Sequence, residues 1–118
     1  MKGIFIYSIV ITLILSLAQI NLSDAFGGRV DYKKLYKKHK CLKCHGWDGK
    51  GTKRGKKLGS PDFTDAEWQA SVTDEQLIDS IANGKKKMPK KGGSKMITDE
   101  EIKLMVKYVR FFAPKKKR

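Results

Sequence analysis

The chain has 118 residues, with 26 lysines and arginines against 12 acidic residues, for a formal net charge of +14. That length leaves room for one domain. Two cysteines three positions apart exclude a disulfide framework, because a bridge between them would close too short a loop to constrain the fold.

The N-terminus reads as an export signal. Lys2 supplies the positive charge, and Ile4 to Leu17 is almost wholly apolar. Ser23-Asp24-Ala25 then sets small residues where a signal peptidase cuts. The apolar run is shorter than the about 20 residues of a membrane span. Residues 1–25 are therefore expected to be a cleaved signal peptide, rather than an uncleaved anchor, which leaves a domain of roughly 90 residues in an oxidising compartment. So small a domain buries little surface and usually needs a staple such as a metal or cofactor.

After the lead-in Phe26-Gly27-Gly28, Asp31 is placed to cap a helix that carries Tyr32, Leu35, Tyr36 and His39 on one face. The helix runs into Cys41-Leu42-Lys43-Cys44-His45. Residues 46–61, rich in glycine and lysine and without apolar period, read as a loop. Thr64-Asp65-Ala66-Glu67 opens a short helix bearing Trp68. Thr73-Asp74-Glu75-Gln76 and Thr98-Asp99-Glu100-Glu101 are capping boxes. The first starts a helix buried through Leu77, Ile78, Ile81 and Ala82 and stopped by Asn83-Gly84. The second starts one buried through Ile102, Met105, Val106, Val109 and Phe112 and ended before Pro114. Between them lies a loop, residues 85–97, with Met88-Pro89. No strand-like alternation occurs, so the expected class is all-α, three main helices with long loops. Loops this long in so small a domain suit a flat apolar cofactor that completes the core.

C-x-x-C-H is the attachment signature of c-type haem: the thiols of Cys41 and Cys44 form thioethers, and His45 supplies an axial nitrogen. A thioredoxin-like pair lacks its βαβ surroundings, and a zinc site lacks a second ligand pair, His39 being the only other histidine. The second axial ligand is sought among Met88, Met96, Met105 and His39. Met105 falls on the apolar stripe of the last helix. Met96 fits a hydrophobic staple before the Thr98 cap, packing against Ile102. His39 sits beside Cys41 on the proximal side. Met88, in a loop stiffened by Pro89, is the first choice.

The run from Cys41 to Gly51 resembles the CxxCHGxDGxG opening of class I cytochromes c. Ile81-Ala82-Asn83-Gly84 through Met88-Pro89, then Thr98 to Ile102 and Tyr108-Val109-Arg110, resembles that family's distal-methionine loop and terminal helix. The resemblance covers Tyr32 to Phe112. It implies a haem-wrapping fold whose first and last helices cross, here through Leu35, Tyr36, Val106 and Val109. It also implies a proline carbonyl, matched by Pro61, accepting the proton on the second nitrogen of the haem histidine. Lys90-Lys91 departs from the family's usual small or aromatic residues after the methionine. Trp47 and Trp68 are candidate haem contacts, by packing or by donating an indole N–H to a propionate.

Lysines gather before and within the haem motif, through residues 50–57, and through residues 85–95 around Met88. Such a rim suits an acidic redox partner, against the plainer reading of a merely solvated basic surface. The tail at residues 115–118 reads as a frayed basic end. Nucleic-acid binding lacks a stacking-aromatic pattern. The sequence thus predicts a periplasmic, monomeric carrier of single electrons on one covalent haem c, not itself an enzyme and with no membrane span after signal cleavage. The alternatives are a haem subunit of a larger oxidoreductase complex and, behind it, an open-site haem enzyme or sensor.

Overall fold

A computed structural model describes residues 30–116. The export signal expected over residues 1–25, and the last two residues of the basic tail, lie outside the described residues. The compact unit starts at Asp31 and holds six α-helices: α1 (Tyr32–Lys38), α2 (Leu42–His45), α3 (Lys53–Lys57), α4 (Ala66–Ser71), α5 (Asp74–Asn83) and α6 (Asp99–Phe111), with a 3-10 helix at Lys90–Gly93 between the last two. No strand occurs among the described residues, as an all-α fold requires.

Local chemistry starts most of these helices. Asp31 Oδ1 accepts from Lys34 N–H at 2.9 Å. Asp65 caps α4 through Trp68 N–H, while Thr64 bonds to Asp62 instead. Both capping boxes close reciprocally, Thr73 with Gln76 and Thr98 with Glu101, so orphan donors at each helix start are satisfied. No helix of the described residues is long and apolar enough to cross a membrane.

Residues 46–61 are not all loop, since α3 lies within them. Its pattern of lysine and glycine carries no apolar face, and tertiary contacts create the helix. Thr52 accepts from Gly55 N–H at 3.0 Å while its own hydroxyl donates to Lys43 O at 2.8 Å. Gly55 is buried, and a Cβ there would overlap the Cys44 carbonyl. Only glycine lets α3 lie this close to α2.

The core has two centres. Tyr36, Ile97, Ile102 and Met105 form one, with Leu35 and Tyr108 against it. Phe63, Leu77, Val106 and Val109 form the other. Ile78 and Ile81 of α5 pack on both. The helix crossing therefore differs from the expected one: α1 meets α6 through Tyr36, Met105 and Tyr108, while Val106 and Val109 turn to α5 and Phe63. Tyr32 stacks on Tyr108 at 5.9 Å and Tyr36 meets it edge-on at 5.1 Å.

The staple before α6 is also corrected. Ile97, directly before the Thr98 cap, is buried with Ile102, whereas Met96 is 77% exposed. A staple pairs the residue before the cap with the fourth helical residue, and that spacing selects Ile97. Met105 is core, as its place on the stripe requires.

Candidate functional site

α2 is a single turn that could not hold itself. It is fixed from outside: Gly51 N–H donates to His45 O and Thr52 N–H to Cys44 O, both at 2.9 Å. These bonds satisfy the carbonyls that a helix end leaves free. Tyr36 reaches from α1 to donate its hydroxyl to Gly46 O at 2.9 Å, and burial pushes its phenol well above the ordinary pKa. Cys41, Cys44 and His45 are thus set on a braced platform.

The opposite part of the site rests on a different device. α5 ends at Gly84, with φ 81° and ψ 164°, a conformation kept almost wholly to glycine. The chain then turns tightly from Lys85 to Met88, closed by Met88 N–H to Lys85 O at 2.9 Å and Lys85 N–H to Met88 O at 3.1 Å. Lys86 takes φ 53° within that turn.

Platform and turn open on one cavity of about 440 Å³, lined by Cys41, Cys44, His45, Pro61, Trp68 and Met88 among others. The volume lies within the ~300–1,000 Å³ of pockets that take small molecules and cofactors. Lys40, Lys85, Lys86 and Lys87 line it too, so the cavity carries positive charge. Burial holds the His45 imidazole down to a pKa of about 4, leaving it neutral at pH 7, the form that binds a metal. Burial, reinforced by Cys44, pushes the Cys41 thiol up to about 11. Neither cysteine is paired in a disulfide, which leaves both sulfurs for thioethers.

Several expected residues lie elsewhere. Trp47 is half-exposed, tilts against Tyr36 at 6.1 Å, and does not line the cavity; Trp68 does. His39 is buried away from the cavity, hydrogen-bonded through Nδ1 to Ser94 Oγ at 2.9 Å, with Nε2 3.2 Å from Glu101 Oε2 but outside hydrogen-bond geometry. Met96 points to solvent. Pro61 lines the cavity, yet His45 Nδ1 is buried without a hydrogen-bond partner, so the expected bond to the Pro61 carbonyl is not made. Phe63 instead covers a face of the ring, stacked on His45 at 4.6 Å and 17°. The sequence offered a signal for Phe63 only in its closeness to Pro61.

Two cysteines outside any disulfide and a neutral histidine at one helical turn and its cap, around a cavity that a thioether also lines, fit a flat iron macrocycle joined through sulfur. The fold and site define a small monohaem c-type cytochrome. The comparisons agree: residues 30–109 match the family described as cytochrome c oxidase, cbb3-type, subunit III, and the chain belongs to that family. A solved structure, KustC0563 c-type cytochrome, is 42% identical with a TM-score of 0.64, over 72% of this chain and 100% of that one. A tyrosine-to-phenylalanine mutant of Kustc0563 is 42% identical with a TM-score of 0.61, over 70% of this chain and 99% of that one. Comparison with curated proteins finds no match. The protein binds haem c covalently with its iron and serves haem-based electron transfer. When bound, the iron supplies a one-electron couple, and the chain supplies covalent attachment and burial.

Proposed function

We propose that the protein is a periplasmic carrier of single electrons. Its haem is tethered through Cys41 and Cys44 and ligated by His45 and Met88. The observation that carries this reading is the single cavity lined by all four residues, with the other ligand candidates buried elsewhere or turned to solvent. Histidine–methionine ligation raises the potential of a cytochrome. Export is supported by the charge, apolar run and small residues of the first 25 positions. Trp68 packs at the haem, and the lysines around the cavity steer an acidic partner to its edge.

The test is the spectrum of oxidised holoprotein. Met88→Ala removes the sulfur-to-iron charge-transfer band and Met96→Ala leaves it. A band that survives Met88→Ala refutes the ligand assignment. Electron-transfer rates with an acidic partner fall steeply with added salt; a flat response refutes the docking rim.

A second reading, a haem subunit of a larger oxidoreductase, is favoured by the family's description and by the exposed Trp47 and Phe111, 53% and 67% accessible. Co-purification of tagged holoprotein with stoichiometric partners supports it. Purification as a lone monomer sinks it.

A further inference from the structure

Gln69 is the one buried polar residue of α4. Its amide is fully used: Nε2 donates to Phe63 O at 2.7 Å and to Val109 O at 3.0 Å, and Oε1 accepts from Arg110 Nη1 at 2.8 Å. Arg110 spends its remaining donors locally, with Nη1 also on Gln69 O at 2.7 Å, Nη2 on Val72 O at 2.7 Å and Nε on Asp74 Oδ1 at 2.9 Å. A buried amide is costly unless every group is paired, and a paired one is stiff. Were its only task to join α4 to α6, an apolar side chain of similar volume would serve without that cost.

What the amide adds is a grip on Phe63. The backbone of Phe63 is held on both sides, its N–H by Gly49 O at 2.9 Å and its carbonyl by Gln69. Its ring is flanked by Trp68 at 5.2 Å and Phe112 at 5.9 Å. Phe112 is itself pressed onto Gly49, where a Cβ would come within 2.7 Å of the ring. The free face of Phe63 lies nearly parallel to the His45 imidazole. His45 Nδ1 has no hydrogen-bond partner among the described residues, which leaves the Phe63 ring as the contact that lies along the imidazole face.

We propose that Gln69 and Arg110 are positioning residues for the haem histidine, locking Phe63 so that its ring sets the plane of the His45 imidazole. This rests on His45 as axial ligand. Groups behind a first ligand commonly orient it through hydrogen bonds; here a stacked ring, held by a buried amide, takes that part.

The test reads ring orientation directly. In ferric holoprotein, the order and spread of the hyperfine-shifted haem methyl resonances follow the plane of the axial imidazole. Gln69→Glu keeps the Arg110 contact but turns a carboxylate toward two carbonyls, and Phe63→Leu removes the flat face while leaving the backbone bonds in place. Both are expected to change the methyl order or spread and to shift the midpoint potential. Arg110→Met does the same, and Arg110→Lys restores part of the native pattern. Ile102→Val, in the other core centre, lowers thermal stability without moving the methyls. Variants Gln69→Glu and Phe63→Leu that lose stability yet keep the wild-type methyl pattern overturn the proposal; where Gln69→Glu does not fold, Phe63→Leu decides alone. Failure of the ligand assignment shows separately, as a methyl pattern that survives His45→Gln, and overturns both.

Discussion

Replacing Gly84 by alanine tests the turn that carries Met88. A Cβ at Gly84 would come within 2.8 Å of Met88 O and 2.9 Å of Lys90 N, both backbone atoms that cannot swing aside. The backbone also sits at φ 81°, ψ 164°, where a side chain costs ~1–3 kcal/mol. Overpacking adds ~1–3 kcal/mol as the turn shifts to make room. The combined loss of ~2–6 kcal/mol lowers the melting temperature by at least about 8 °C in a domain this size. Gly59 is the control, for it too has positive φ, 80°, but a Cβ there meets nothing within 4 Å. Gly59→Ala therefore carries conformational strain alone, ~1–2 kcal/mol. Thermal unfolding of the two ferric holoproteins measures the difference, and the charge-transfer band reports the turn itself. Gly84→Ala is expected to weaken or lose the band and Gly59→Ala to keep it. Equal melting temperatures and equal bands would refute the argument that close approach at Gly84 holds the methionine turn.

Two further outcomes follow from the start of α6. Ile97→Ala should cost ~2–5 kcal/mol by denaturant titration, whereas Met96→Ala, at a side chain facing water, should stay within ~0.5 kcal/mol; equal losses would return the staple to Met96. Glu101 is held down to a pKa of about 2, first by the Lys38 ammonium, then by Thr98 N–H and His39. A depressed carboxyl contributes stability that is present above its ordinary value of 4.5 and is lost as pH falls toward 2. Glu101→Gln keeps the capping acceptor but not the charge. It should cost about 1 kcal/mol or less at pH 7, because Lys38 is half-exposed, and should flatten the fall in melting temperature below pH 4.5. Parallel curves for the two proteins would show that the charge contributes nothing.

Features of the fold that were legible in the sequence share one property: their cause lies within four residues. The Thr73 and Thr98 boxes, the Asp31 cap and the apolar stripe of α6 are all of this kind. What the sequence hid depends on a neighbour distant in the chain. The stripe of α6 announces a buried face, but not that Ile102 and Met105 go to Tyr36 while Val106 and Val109 go to Phe63 and Leu77. α3 has no apolar signal; Thr52 caps it locally, but its place against α2 depends on the Cys44 carbonyl beside Gly55. Gln69 has no signal at all, since a buried amide on a short helix looks like any exposed polar residue until its partners, Phe63, Val109 and Arg110, are brought round it. Of the candidate site, the motif offered Cys41, Cys44 and His45, elimination Met88, the family resemblance Pro61, and the aromatic inventory Trp68, all of which line the cavity; Trp47 packs on Tyr36 instead.

The two halves of the site are built to unequal stiffness. The cysteine–histidine turn is tied by Gly51, Thr52 and Tyr36 through five hydrogen bonds to the carbonyls of Lys43, Cys44, His45 and Gly46, and is backed by Gly55. The methionine turn has its own two backbone bonds and the close approach at Gly84, and it runs on into Lys90–Gly93, where Lys91 holds φ 54°. A link back to the rest of the fold comes through Ser94 and the buried His39. The 3-10 helix packs on α5, but among the described residues no side-chain hydrogen bond braces residues 85–93, and a segment with fewer such braces opens at lower cost. Adjustment of a bound group should therefore fall on the methionine side, and substitutions at Lys85 to Lys91 should alter its environment with the cysteine–histidine platform unchanged. The departure at Lys90-Lys91 from the family's usual residues lies in the half of the site best able to absorb it.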